Sequence, residues 1–411
     1  MDVSEQRHTL VQLPYSMPQN YQQGLKNNIF AYYFFRIFNK RAYLPLIPVY
    51  AVSVAGLSLA EFGLVAAIAS AVSLTLEIPS GYLSDRMGHK KALMLGHFIM
   101  ALSPLAYIIW PNFSGILLGA AGYFGGFAFL SGTLEAFLHE TLLELNREDE
   151  YSKIMGRTQA IGLLGNVVII SLIPLTYSIN PRIPFLCGAF LLGISFLASL
   201  TLTTPRKTAK SVSELEKVSF PNLLRTLRQN KQQLLFLLLG VTAASANKIP
   251  DFREIYFQEL GIPIPYFGFI LALGSLLAAF ASYNLHKIER IKENWYYGLS
   301  FTFLFLITTI SGFVENQWLG IGFMVLLIIY GRNELMLAKS YLLRKSPTRE
   351  LKATYLSLLA FAGALNGIWI PILLGYLATA YGIQRGYTYF GEIMFLVTGV
   401  LFIFFLRSQR K

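Results

Sequence analysis

Gly81-Tyr-Leu-Ser-Asp85-Arg86-Met-Gly88-His89-Lys90-Lys91 closes one apolar run, residues 57–84, and opens the next, residues 89–109. Each run is long enough, at about 20 residues, to cross a ~30 Å hydrocarbon layer as a helix. The polar stretch between them is therefore a short reversal at a membrane surface. Gly81 lets helices approach closely, Gly88 permits the tight turn, and Asp85 offers an acceptor to a neighbouring helix N-terminus. Arg86, Lys90 and Lys91 anchor the reversal on the cytoplasmic side.

The same alternation of apolar run and polar break extends in both directions. Spans are expected near 29–54, 57–84, 89–109, 113–143, 153–178 and 182–203, then near 232–258, 264–286, 295–313, 317–342, 353–379 and 386–406. Apolar and aromatic residues make up 54% of the 411-residue chain and charged residues only 14%, against the roughly 25% usual in soluble proteins. The single Cys187 supports neither a disulfide framework nor a thiolate metal cluster, and no cofactor or metal site is expected. The net charge of +12 does not indicate nucleic acid, because the basic residues sit in alternate loops rather than along one face. With the N-terminus inside, 24 Lys and Arg residues fall in cytoplasmic loops and tails and only Arg182 and Arg385 in outer loops. That asymmetry places both termini in the cytoplasm of a multi-pass protein of the cell (inner) membrane.

Residues 204–231 are polar and basic and divide the chain into six spans plus six. The expected organisation is a cytoplasmic tail at 1–28, a six-helix bundle at 29–203, a linker at 204–231, a second bundle at 232–406 and a tail at 407–411. Val212 to Asn230 reads as an amphipathic surface helix or, equally, as a solvated linker. Gly56-Leu-Ser-Leu-Ala-Glu-Phe-Gly63 and Gly261-Ile-Pro-Ile-Pro-Tyr-Phe-Gly268 open the second span of each half with one spacing, and Glu135 in span four corresponds to Glu334 in span ten. Related halves imply a central pathway between them. The fold class is all-α integral membrane, twelve helices in two pseudo-symmetric bundles.

The Gly81–Lys91 loop resembles the signature of the major facilitator superfamily, G-x-x-x-D-R-x-G-R-[RK], with His89 in place of the first basic residue. The resemblance covers the chain from about residue 26, including Glu77-Ile-Pro-Ser-Gly81 and Lys352-Ala-Thr-Tyr-Leu-Ser357. It is that of a bacterial twelve-helix member. It implies alternating access, with Gly81, Asp85, Arg86, Gly88, Lys90 and Lys91 forming a latch that packs against the start of span eleven and favours the outward-open state. The matching loop of the second half, Asn284 to Lys292, is degenerate. Proton-driven drug exporters of the family carry Gly-Pro-x-x-Gly-Gly in span five and an arginine in span four, and neither is present here, which weakens a drug-exporter assignment.

An ionisable side chain at the bilayer centre costs at least ~2.5–3.5 kcal/mol, so those present should pair, snorkel or face a wet cavity. Arg36, Glu77 and Glu135 lie roughly 10–12 Å from the cytoplasmic ends of spans one, two and four, a depth that favours one cluster. Either carboxylate serves as a proton carrier or as a fixed ion-pair partner of Arg36. Lys40, expected one turn beyond Arg36 on the same helix face, and Arg41 add two more cations. Uncompensated, they favour an anionic substrate carrying carboxylate or phosphate. Arg332 and Glu334 form the corresponding charges of span ten. Lys248, Asp251, Arg253 and Glu254 are expected at an outer rim or gate. Tyr32, Tyr33, Tyr123, Asn166, Asn333 and Asn366 can hydrogen-bond a solute or glue helices together. No P-loop, nucleophile motif or metal-ligand cluster points to an enzyme. The expectation is a monomeric secondary transporter of a small organic solute, a drug, metabolite or siderophore-like molecule, coupled to protons and directed outward. Sodium in place of protons stays open, with import of a metabolite as the alternative. A transport-inactive receptor or scaffold is the alternative class, disfavoured by the intramembrane charges.

Overall fold

The computed structural model describes residues 17–206, 231–288, 290–345 and 351–409. Most of the expected linker, 204–231, and of the N-terminal tail lies outside these residues. The first half contains α1 (Gln19–Phe38), α2 (Ile47–Ser53), α3 (Leu59–Met87), α4 (His89–Ile109), α5 (Phe113–Leu130), α6 (Thr133–Glu144), α7 (Tyr151–Leu172) and α8 (Ile183–Leu200). The second contains α9 (Lys231–Ala244), α10 (Arg253–Glu259), α11 (Phe267–Tyr283), α12 (Glu293–Ser311), α13 (Gln317–Lys345), α14 (Leu351–Tyr381) and α15 (Ile383–Gln409).

Local chemistry sets these boundaries. Ser58 and Glu61 cap α3 reciprocally, with Ser58 N donating to Glu61 Oε2 at 2.8 Å and Glu61 N to Ser58 Oγ at 3.2 Å. Asn112 caps α5 by accepting from Gly115 N at 3.1 Å. Only Gly88 separates α3 from α4, and its φ of 87° is a conformation that a side chain resists.

Nine helical stretches among the described residues are long and apolar enough to cross a bilayer. The other three expected crossings are α12 and the two broken spans, α1 with α2 and α9 with α10. In the first span the helix ends at Phe38, and a 3-10 turn, Leu44–Leu46, leads into α2. Pro45 and Pro48 lack the N–H that a continuous helix needs there. In the seventh, 3-10 turns at Ser245–Asn247 and Ile249–Phe252 separate α9 from α10, with Pro250 between. Both breaks carry Asn-Lys, as Asn39-Lys40 and Asn247-Lys248.

Equivalent tyrosines tie the helices after these breaks to their neighbours. Tyr50 donates to Tyr107 O at 3.1 Å, joining spans one and three, and Tyr256 donates to Ser311 O at 2.8 Å, joining spans seven and nine. Spans two and four are joined by Ser80 to Ala128 O and by Ser84 with Thr133; spans eight and ten are joined by Ser282 with Asn333. The internal repeat is thus expressed in side-chain bonds as well as in sequence.

The halves meet at the end away from the charged loops. A Cβ at Gly63 of α3 would overlap Pro371 O of α14, one at Gly375 would press on Leu59 O, and one at Gly268 of α11 would overlap Ile170 O of α7. Phe62 stands edge-on to Phe252, with centroids 5.3 Å apart. At the opposite end they part. Between 59 and 70, α3 buries Phe62, Gly63, Val65, Ala67 and Ala69; from 71 to 87 it buries only Ser80 and Ser84, both against its own half, and Ile78 is 83% exposed. Among the described residues Gly81 therefore has no close helix neighbour: an added Cβ there would meet none of them within 4 Å, unlike the expected close approach.

Candidate functional site

Two polar clusters, and three cations with no carboxylate partner among the described residues, lie along the spans. In the first half, α5 stops at Leu130, Gly132 turns the chain with φ 73°, and α6 restarts at Thr133. Glu135 consequently sits in the first turn of a helix, where the N-terminal dipole favours its negative charge. Arg36, in the last turn of α1, reaches it with Nη2 2.6 Å from Glu135 Oε1. Tyr32, one turn earlier, accepts from Arg36 Nε at 3.2 Å and donates to Met155 Sδ at 2.9 Å. Glu77 does not join this cluster. Its side chain is exposed and makes no ion pair among the described residues, because position 77 falls where α3 has left the other helices.

Lys40 is not one helical turn beyond Arg36, because α1 has already ended. It projects from the break and is exposed. Arg41 lies over the rings of Tyr123, at 4.6 Å, and Phe124, at 4.7 Å. Tyr123 in turn donates to Asn39 O at 3.0 Å, so its hydroxyl holds the break in place. Lys40, Arg41 and Arg332 have no carboxylate within ion-pair distance among the described residues.

In the second half Glu334 is 1% exposed and has no cation partner among the described residues. Hydroxyls surround it instead: Tyr296 donates to Oε1, Ser300 donates at 3.0 Å, and Tyr330 bonds Ser300 one hydroxyl further out. The expected site residues did not include these three. A signal for them existed, since Tyr296 and Ser300 stand four apart on α12 and Tyr330 and Glu334 four apart on α13, each pair presenting one helix face. Asn333 is committed to structure, donating to Ile329 O at 2.8 Å and Ala278 O at 3.3 Å while accepting from Ser282. Asn366 is likewise engaged, with Val241 O at 2.8 Å and Trp369 Nε1 at 2.9 Å. Tyr33 and Asn166 are half-buried without a side-chain hydrogen bond among the described residues.

Near the sealed end, Arg253 pairs with Glu254 at 2.8 Å, and Lys248 lies 3.9 Å from Asp251. The expected rim is here a buried pair, since Glu254 is 1% exposed and Arg253 also holds Pro250 O at 3.0 Å. The Lys248 stem lies beside Gly367, which packs on Ser70 of the other half. In the reversal, Asp85 caps no neighbouring helix among the described residues; it faces His89 at 3.7 Å, and His89 Nδ1 is 2.9 Å from the buried Glu140. Arg86 lies over Tyr82, and Lys90 and Lys91 sit at the surface end of α4.

Two related sets of apolar helices, closed on each other at one end and parted at the other around interior charges, are the architecture of a membrane transporter. The family model of the Major Facilitator Superfamily matches residues 29–365, and the chain belongs to that superfamily of transporters, not enzymes. The raffinose permease of Escherichia coli is 24% identical over 405 residues, spanning 93% of this chain and 92% of that protein. The lactose permease of Citrobacter freundii is 26% identical over 255 residues, 58% of this chain and 60% of its own. Among solved structures, the nucleoside transporter NupG superposes with a TM-score of 0.71 at 15% identity, covering 95% of this chain and all of that one (100%). A bacterial homolog of the human lysosomal transporter Spinster, in an inward-facing and unoccupied conformation, gives 0.69 at 14% identity over 96% and 98%. These two likenesses show the fold. The protein is thus a multi-pass membrane transporter with a small-molecule substrate.

Proposed function

We propose that this transporter is proton-coupled, works by alternating access as a monomer in the inner membrane with both termini in the cytoplasm, and carries its coupled proton on Glu334. The environment of that residue supports the reading. Hydroxyl groups donate to a carboxylate and accept from a carboxylic acid, so Tyr296 and Ser300, with Tyr330 bonded behind Ser300, serve both protonation states without rebuilding the site. A fixed cation partner would favour one state only. The Arg36–Glu135 pair is the corresponding charge element of the first half.

With the orientation given by the loop charges, the parted end opens to the cytoplasm and the state is inward-facing. The exposed Ile78, Tyr82 and Leu83, and a Gly81 that no described helix approaches, fit a released latch, which the family pattern assigns to this side of the cycle. Uptake is favoured over the export expected from sequence alone, because the relatives are named as permeases and the drug-exporter motifs are missing.

Proteoliposomes under an imposed pH gradient test the assignment with a panel of solutes. Wild type should accumulate solute against its gradient, whereas Glu334→Gln should lose accumulation but keep solute-for-solute exchange. Uphill transport by Glu334→Gln equal to wild type sinks the proposal, and a response to a sodium gradient alone reassigns the ion.

A further inference from the structure

The reversal after α3 holds a titratable ion-pair site that the transport reading leaves unused. His89 opens α4 with its side chain 18% exposed, between a buried acid and an exposed one. Its Nδ1 lies 2.9 Å from Oε2 of Glu140 on α6, a side chain 7% exposed. Its Nε2 lies 3.7 Å from Oδ1 of Asp85 at the end of α3, a side chain 68% exposed. A carboxylate acceptor at 2.9 Å places a proton on Nδ1. In the neutral ring Nε2 is then a bare acceptor turned towards a second carboxylate, which repels it. In the charged ring Nε2 carries a proton too, and the same contact becomes attractive. The Asp85 contact therefore belongs to the imidazolium, whereas either form makes the Glu140 bond. α5 and α8, which also pack along α4, carry no charged residue; the other titratable groups near this end are Arg86 of α3, Lys90 and Lys91 of α4, and His139 and Glu144 of α6.

The family pattern has arginine at this position, a group that keeps its charge at every cellular pH, whereas a histidine changes charge near about pH 6.5. The exchange turns a fixed tie into one that a proton makes and breaks. The reversal stands at the parted end, where α3 leaves the other half after packing on α14 at the seal. Both halves are basic there, with Arg86, Lys90 and Lys91 on the first and Lys287, Arg290, Lys292 and Arg344 on the second. Closing this end brings like charges together, and Asp85, the one acid between positions 84 and 91, is the group that offsets them. A charged His89 adds a further positive charge and holds Asp85 back on its own half; a neutral His89 does neither. We propose that His89 makes the reversal a sensor of cytoplasmic pH: charged, it ties Asp85 to Glu140 and keeps the parted end open; neutral, it frees Asp85 and lets that end close. The switch stands on the contacts of His89. Its consequence, a brake on uptake as protons delivered with solute acidify the cytoplasm, rests on the transport reading above.

Distance distributions between nitroxides at Ile78 and Phe361 on the parted end test it in the full-length protein, in a Cys187→Ser background, from about pH 6 to about pH 8. The ratio of long to short distances should fall about tenfold over that range, the change produced when the two conformations differ by one unit in the proton affinity of a histidine. His89→Arg should hold the long distance at every pH, and His89→Gln the short one. Asp85→Asn, a change at an exposed side chain, should flatten most of the response with the fold intact. A wild-type ratio that does not move with pH overturns the proposal, as does a full response in Asp85→Asn. Glu334→Gln separates the switch from the coupled proton, because its response should match wild type. A response lost in Glu334→Gln and kept in His89→Gln overturns the switch and leaves the proton carrier standing. Uphill transport unaltered in Glu334→Gln, with the pH response of wild type, refutes the transport reading and leaves the switch standing.

Discussion

Gly63→Ala inserts a methyl group where α3 meets the carbonyl of Pro371 in α14, and the atoms it would strike are all main chain: Pro371 O and C and the Cα of Gly375. No side chain can rotate away, so the helices must separate. Overpacking of this kind costs about 1–3 kcal/mol, and here the cost falls only on the conformation in which this end is sealed. A bias of that size changes the ratio of sealed to unsealed molecules about 5- to 150-fold. Gly268→Ala makes the same test independently, against Ile170 O of α7. The assay is a distance distribution between nitroxides at Val54 and Tyr381, both exposed at this end, in a background where Cys187 is serine. Each variant should move population from the short-distance peak to a longer one. Distributions identical to wild type in both variants, with folded protein, would refute the reasoning that glycine packing holds this end shut.

Two further outcomes follow from single contacts. Glu135→Gln leaves Arg36 with Tyr32 and the Met155 sulfur, and since the pair is 23% and 35% exposed, the loss is set at about 1–3 kcal/mol, below the cost of a fully buried pair; melting in detergent should fall, with Arg36→Met/Glu135→Leu recovering much of it, and an unchanged melting temperature for Glu135→Gln would show the pair to be idle. His89→Ala strands the Glu140 carboxylate, whose side chain is only 7% exposed, at about 1–3 kcal/mol; His89→Asn should restore part of the stability, and equal melting of all three proteins would remove the His89–Glu140 contact from the fold's support.

Helices and their apolar faces are legible in the sequence because the bilayer demands long apolar runs, and Gly88 is legible because the turn between α3 and α4 has a single residue in which to reverse. The break at Asn39 is not, since Pro45 and Pro48 sit within a run apolar enough to read as one helix, and the error carried Lys40 onto the wrong face. Glu77 shares its depth with Arg36 and Glu135, but depth does not fix direction; the partner was decided by which helices touch. The close approach expected at Gly81 is likewise decided by which helices touch, and among the described residues none comes within reach of it. Tyr296 and Ser300 reach Glu334 through pairing of α12 with α13, and no spacing within either helix names the other. Across the seal, the same limit hides Gly63 and Gly268, whose close neighbours Pro371 and Ile170 lie far away in the chain.

The seal has an electrical consequence. Where glycine backbone packs on carbonyl backbone and Phe62 meets Phe252, the layer between the two solutions is thin and apolar, and a transmembrane voltage drops mostly across such a layer. Lys40, Arg41 and Arg332 then sit at the potential of whichever solution fills the parted end. Reversing the seal carries these charges to the other side of the field with little movement in space, at about 2.3 kcal/mol per elementary charge per 100 mV. The return of the empty site should therefore depend on voltage.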